Sequence, residues 1–391
     1  MRFRQASRFL WLPTLLVLGG CQPGDSSSQP PNDSTTPKIT VHQSSITTSE
    51  TWRASDNPHV VRGPLLVSGN THPILTLEAG TVVRFDQGAG LLIGSPDGMG
   101  GELRAEGTAE APVLLSASSD SPQPGDWLGV IFEPGSTATS LLSHVTLEYA
   151  GARLFTPSPG DDLPIPAQAL LVQGSVTGTP SSPQVVVQDV TIQKSKEYGV
   201  TLASASFGPG STRLISRDNG KAGLFVTANE VGSIPADSVF SGNTPNVVEV
   251  SSASVSRTQT WPRFDVPYLL STPISSLPAL LSVGSASQPT LTLLPGTELQ
   301  FPPGAALVVG SDSAPGALKA EGTSDAPIRF VPTPASSAKG SWSGLTFSGP
   351  ALGSRLDHVL IDSAGQPLFG VLGGAGVNVQ SDQGAFVTHS T

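Results

Sequence analysis

The chain has 391 residues, among them 43 Gly and 36 Pro, and only 13% are charged, against roughly 25% in an average soluble domain. That composition excludes a helix-rich globule, because amphipathic helices need charged, straight-chain residues on their solvated faces. It excludes a disordered chain too, since 37% of the residues are hydrophobic and come as short Val/Leu/Ile runs between turn residues, the pattern of many short strands.

The formal net charge is −10 and the 20 Lys and Arg form no run, so nucleic acid is not an expected partner. The N-terminus stands apart. Arg2, Arg4 and Arg8 precede the apolar stretch Phe9 to Leu18 and the small residues Gly19-Gly20, the three-part plan of a secretory signal peptide with an apolar run too short to span a bilayer. The segment Leu18-Gly19-Gly20-Cys21 resembles the bacterial lipoprotein lipobox. The resemblance implies cleavage between Gly20 and Cys21, acylation of Cys21, and a membrane partner held through a lipid anchor, for which several acyl chains suffice where one would not. Cys21 is the single cysteine, so the exported protein is expected to stand without disulfides. Residue 22 is Gln, not the Asp that in similar Gram-negative lipoproteins marks inner-membrane retention, which places the expected address at the outer membrane. Residues 1–20 are thus read as a leader. Residues 21–50, rich in Ser, Pro, Asp and Thr at their start, are read as the lipidated Cys and a flexible tether.

From residue 51 the chain repeats itself. Leu75-Thr76-Leu77-Glu78-Ala79-Gly80-Thr81 returns as Leu291-Thr292-Leu293-Leu294-Pro295-Gly296-Thr297, and Leu103-Arg104-Ala105-Glu106-Gly107-Thr108 as Leu318-Lys319-Ala320-Glu321-Gly322-Thr323. Gly125-Asp126-Trp127-Leu128-Gly129-Val130-Ile131-Phe132 returns as Gly340-Ser341-Trp342-Ser343-Gly344-Leu345-Thr346-Phe347, and Ser143-His144-Val145 as Asp357-His358-Val359. The offsets of 216, 215, 215 and 214 keep register with few gaps, and divide the body into halves 51–260 and 261–391. Strand-like runs, apolar on alternate residues, recur within each half and continue through Val185 to Val187, Val190 to Ile192, Val200 to Leu202 and Leu224 to Val226. No run of a dozen residues carries a helical period. Asn-Gly and Asp-Gly hairpin turns hardly occur between the runs, which favours parallel stacking over sandwiches of hairpins.

The Leu-Thr-Leu-x-x-Gly-Thr, Gly-x-Trp-x-Gly-(Val/Leu)-x-Phe and His-Val-x-(Leu/Ile) motifs, with Asn219, Asn243 and Asn246 as corner asparagines, resemble the right-handed parallel β-helix repeat proteins of bacterial surfaces. The resemblance covers about residues 50–391. It implies an all-β, right-handed parallel β-helix in two tandem homologous halves, with about 22 residues per coil and a rod roughly 70 Å long. The final segment, Phe386 to Thr391, has no capping turn, and because solenoids need polar caps the second half is expected to be incomplete.

Chemistry is sparse in the sequence. Asp161-Asp162 is the adjacent acid pair of the body and sits in a Pro/Gly-rich loop. Asp189, Lys194, Lys196, Glu197, Arg217 and Asp218 are the residues that neighbouring coils bring together, either as salt-bridged turns or as an acidic site. The six histidines, His42, His59, His72, His144, His358 and His389, are isolated in sequence and suggest no metal set; the repeat mates His144 and His358 are read as corner hydrogen-bonding residues. Trp127 and Trp342 are candidates for stacking on a sugar ring if exposed, and for packing against a neighbouring coil if buried. The expectation is a lipid-anchored envelope protein without catalysis or cofactor, serving binding, adhesion or structure with polysaccharide or envelope components as partners. The alternative is a polysaccharide lyase or hydrolase whose acids meet in space.

Overall fold

A computed structural model describes residues 39–153, 167–174, 183–251, 254–271, 278–349, 353–367, 374–380 and 386–391, all within one compact unit, Lys38–Thr391. The leader, Gly20, Cys21, the start of the tether and Asp161-Asp162 lie outside the described residues. The described chain is nearly all β, with helix confined to short 3-10 turns such as Ala54–Asp56 and Ala228–Ser233. The named strand pairings are parallel.

The described residues form five sheets, of eleven, seven, six, five and five strands, and in each half the chain visits three of them in turn. Pro64–Val67 joins an eleven-stranded sheet, Ile74–Glu78 a six-stranded one, Val82–Phe85 a seven-stranded one, and Gly90–Ile93 returns to the first beside Pro64–Val67. Parallel neighbours cannot be joined by a tight turn; here the intervening strands of the other two sheets carry the chain back. The separation of paired residues varies, from 19 (Thr40 with His59) through 24 (Val200 with Leu224) to 45 (Thr146 with Thr191).

Alternation sets the interior. In Ile74–Glu78 the burial pattern is strictly two-residue, with Leu75 and Leu77 inside, and Leu103 and Ala105 on the paired strand stack in register with them. One contiguous apolar core runs from Ile46 to Phe386. Each fully buried Val, Leu, Ile or Phe there contributes roughly 1.5–3 kcal/mol.

The two sequence copies enter the sheets differently. Val82–Phe85 and Val113–Ala117 belong to the seven-stranded sheet, whereas their counterparts Glu298–Phe301 and Ile328–Pro332 extend the eleven-stranded sheet. The change falls at the join: Leu224–Thr227 is followed in the eleven-stranded sheet by the next strand along the chain, Val248–Ser251, with no intervening strands in other sheets. The turn Ala228–Ser233 occupies that stretch.

Of the asparagines singled out in sequence, Asn219 and Asn243 form a buried ladder, with the exposed Asn246 at its edge. Asn219 Oδ1 accepts the Ser195 N–H at 2.9 Å, and Asn243 Oδ1 accepts the Asn219 N–H at 3.0 Å and its Nδ2–H at 2.9 Å. Asn243 Nδ2 donates to the carbonyls of Ser216 and Phe240, and Asn246 Oδ1 accepts the Asn243 N–H at 3.3 Å. Such side chains satisfy turn groups that the strand ladders leave unpaired.

Candidate functional site

The strand Arg355–Asp357 pairs with Val387–Thr388, matching Leu356 with Val387 and Asp357 with Thr388. The same step places His358 beside His389. Both adopt positive φ, 48° and 43°, a conformation uncommon for a residue with a Cβ, and their rings stack with centroids 4.9 Å apart and planes at 24°. Asp357 Oδ1 lies 2.9 Å from His389 Nδ1 and 3.1 Å from His358 Nδ1. One ligand atom from each of Asp357, His358 and His389 falls within 4.8 Å of the others. The site is half open: His389 is 70% exposed, Asp357 and His358 about 30%.

The His389 N–H donates to Asp357 and, with a hydrogen bond from Thr388 and the two nearby imidazoles, holds its carboxyl below the usual carboxylate range against the opposing effect of desolvation. The single oxygen Oδ1 faces both Nδ1 atoms, and of the two imidazoles only His389 makes an aligned hydrogen bond to it. His358 Nδ1 is buried and makes no hydrogen bond, its contact with Asp357 being close in distance but out of alignment. Two imidazoles and a carboxylate can relay a proton or hold a metal ion. His358 and His389, isolated in sequence, are thus brought together in space. Isolation along the chain does not carry over to parallel strands, where residues about 30 positions apart become side-by-side neighbours.

The repeat mate is built differently. His144 also has positive φ, 47°, but its Nδ1 lies 3.2 Å from Ser143 Oγ and its Nε2 is 3.9 Å from Asp189. Asp189 is taken by Arg213, at 2.7 Å. A second histidine group, absent from the sequence reading, lies near Trp52: His42 Nε2 is 3.1 Å from His59 Nδ1, and the His42 ring stacks on Trp52 at 3.7 Å. Burial, and then the neighbouring His59, push His42 down to about 4.

Trp127 and Trp342 are not available for sugar stacking. Both are 0% exposed, each lies face to face on a phenylalanine at 4.0 Å, Phe85 and Phe301 respectively, and each donates its indole N–H at 2.8 Å to a backbone carbonyl, of Glu148 and of Asp362. The reason is backbone geometry. Strict alternation sets each Trp opposite Val130 and Phe132 or Leu345 and Phe347, but Gly129 and Gly344 take φ of 119° and 87°, which interrupts the alternation. Trp127, Val130 and Phe132 then share the interior. A Cβ at either glycine would come within 2.4 Å of a neighbouring carbonyl oxygen.

The mixed-charge residues do not gather into an acidic site. Glu197 sits between Arg153 at 2.7 Å and Lys221 at 2.8 Å; burial pushes its carboxyl up, and the two cations together outweigh burial and hold it low. Lys194 Nζ lies 2.9 Å from the Tyr149 hydroxyl and over its ring, Arg217 is 3.9 Å from Asp218, and Lys196 is exposed. An open cavity of about 210 Å³ lies near the start of the second half, lined by Arg263, Asp265, Tyr268 and Glu298 among others. Its acids serve structure: Asp265 accepts the Phe240 and Ser241 N–H groups, and Glu298 pairs with Arg329.

Comparison of the chain with known protein families, with curated proteins and with solved structures finds no match.

Proposed function

We propose that this chain is a lipid-anchored cell-envelope protein at the outer membrane, with a body that is a right-handed parallel β-helix of two tandem homologous halves and a non-catalytic role in binding, adhesion or envelope structure. The observation that carries the reading is the eleven-stranded parallel sheet from Pro64–Val67 to Val359–Ile361, whose neighbours are nearly all three strands apart in the chain. A strand order that cycles through three sheets is what a helical winding of β-strands produces, and parallel crossovers are right-handed in nearly all cases. Eleven strands at about 4.8 Å span about 50 Å, a rigid body suited to presenting a surface away from a lipid anchor. The cations and carboxylates paired with one another at Asp189, Glu197, Glu230 and Glu298 support structure in preference to acid–base chemistry. The anchor rests on the Leu18-Gly19-Gly20-Cys21 segment.

The test compares intact mass and membrane fractionation of the wild type with those of Cys21→Ala, followed by protease treatment of whole cells. The proposal expects an acylated N-terminal Cys in the wild type, loss of acylation and membrane association in the variant, and cleavage from outside for a surface role. An unmodified Cys21, or a wild type that stays soluble, refutes the anchor.

A further inference from the structure

We propose that Asp357, His358 and His389 form a binding site for one divalent first-row transition metal ion of the zinc class. This goes beyond the envelope role and does not depend on lipidation. Three observations converge. The donor atoms are brought together by backbone pairing, through the register that matches Asp357 with Thr388, so assembling the site requires no loop to fold over. The set is under-satisfied as it stands, because His358 Nδ1 is buried without a hydrogen bond while Asp357 Oδ1 is shared between two imidazole nitrogens at 2.9 and 3.1 Å. A cation in place of the imidazole proton would satisfy all three groups at once. And the site has an open side at His389, which leaves room for water to complete the coordination.

The dimensions fit. Donors at about 2.0–2.2 Å from a tetrahedral Zn²⁺ lie about 3.4 Å from one another. The carboxylate-to-imidazole separations here are within about half an ångström of that, and a modest rotation of the exposed His389 ring brings the widest pair, at most 4.8 Å, into range. Two imidazoles and one carboxylate select Zn²⁺, Co²⁺, Ni²⁺ or Cu²⁺ over Ca²⁺ and Mg²⁺, which prefer six or more oxygens. The equivalent place in the first half lacks the site because Ser143 and Asp189 stand where Asp357 and His389 do, so a second imidazole is missing, and Arg213 holds Asp189 at 2.7 Å.

The test is equilibrium dialysis of the untagged full chain, freed of metal with a chelator, against Zn²⁺, with Ca²⁺ and Mg²⁺ as competitors. One Zn²⁺ per chain is expected, undisturbed by either competitor. His389→Ala and Asp357→Asn should each weaken binding at least about tenfold, as loss of a metal-site residue does, whereas His144→Ala should not change it. Far-UV circular dichroism shows whether the variants remain folded; His389 is mostly exposed, so its replacement leaves the core untouched. The absence of stoichiometric Zn²⁺ binding overturns the proposal. So does binding that survives His389→Ala, or that is abolished instead by His42→Ala, which would place the ion at the His42/His59 pair.

Discussion

Replacing Asn243 by Ala tests whether side-chain hydrogen bonding, in addition to the strand ladders, holds the stack together. Its carboxamide makes four hydrogen bonds at 2.6–3.0 Å, two accepted from Asn219 and two donated to the Ser216 and Phe240 carbonyls. Both asparagines are buried, Asn243 at 7% and Asn219 at 3% exposure, so water does not freely replace the lost partner. The Asn219 Nδ2–H keeps a bond to Ser216 Oγ at 3.1 Å; the Asn219 N–H and two carbonyls each lose a partner. At about 1 kcal/mol or more for each buried group left unsatisfied, the sum is about 3 kcal/mol, or roughly a hundredfold in the local opening equilibrium. Stacked-strand proteins need not unfold in one step, so the assay is amide hydrogen exchange, read at Ser195 and Asn219, alongside urea denaturation. Protection at Asn219 should fall about a hundredfold, and Asn243→Asp should be at least as damaging at neutral pH, because an anion would then face two carbonyl oxygens. Unchanged protection at Asn219, with stability within about 0.5 kcal/mol of wild type, would refute the ladder.

Trp127→Ala should destabilise by about 3–5 kcal/mol through loss of a buried aromatic, and Trp127→Phe by less, about 1–3 kcal/mol, through loss of the indole hydrogen bond and of part of the buried ring volume; urea titration separates them, and a Trp127→Ala variant as stable as wild type would contradict the burial. Because His42 is held near 4, below its ordinary 6.5, the unfolded chain takes up the proton first. The pairing of Thr40–His42 with His59–Val61 should therefore be fully stable above pH 6.5 and weaken as the pH falls toward 4, seen as exchange of the Arg62 amide, which donates to the His42 carbonyl, speeding up beyond its intrinsic pH dependence; a pH-independent opening equilibrium would count against the half-buried neutral imidazole.

Much of the local structure was legible in the residues. The two-residue alternation of Leu75 and Leu77, or of Leu103 and Ala105, names the interior positions without any knowledge of partners, because a strand's side-chain period is fixed by its own backbone. The corner role of Asn219 and Asn243 was readable for a similar reason: a short amide side chain among turn residues bonds to nearby backbone groups. The duplication was visible as a nearly constant offset, 216 at Leu75/Leu291 and 214 at Ser143/Asp357.

Tertiary structure decided what depends on distant pairing. It placed Val82–Phe85 and its copy Glu298–Phe301 in different sheets, an outcome set at the join by one stretch that omits two strands and invisible to an offset that simply carries on. It turned Trp127 and Trp342 inward, because positive φ at one glycine in each motif interrupts the alternation on which the sequence reading relied. And it brought His389 to His358 and Asp357, 31 residues from its neighbour in the stack, since in parallel sheets the register between strands, and not distance along the chain, decides which side chains meet.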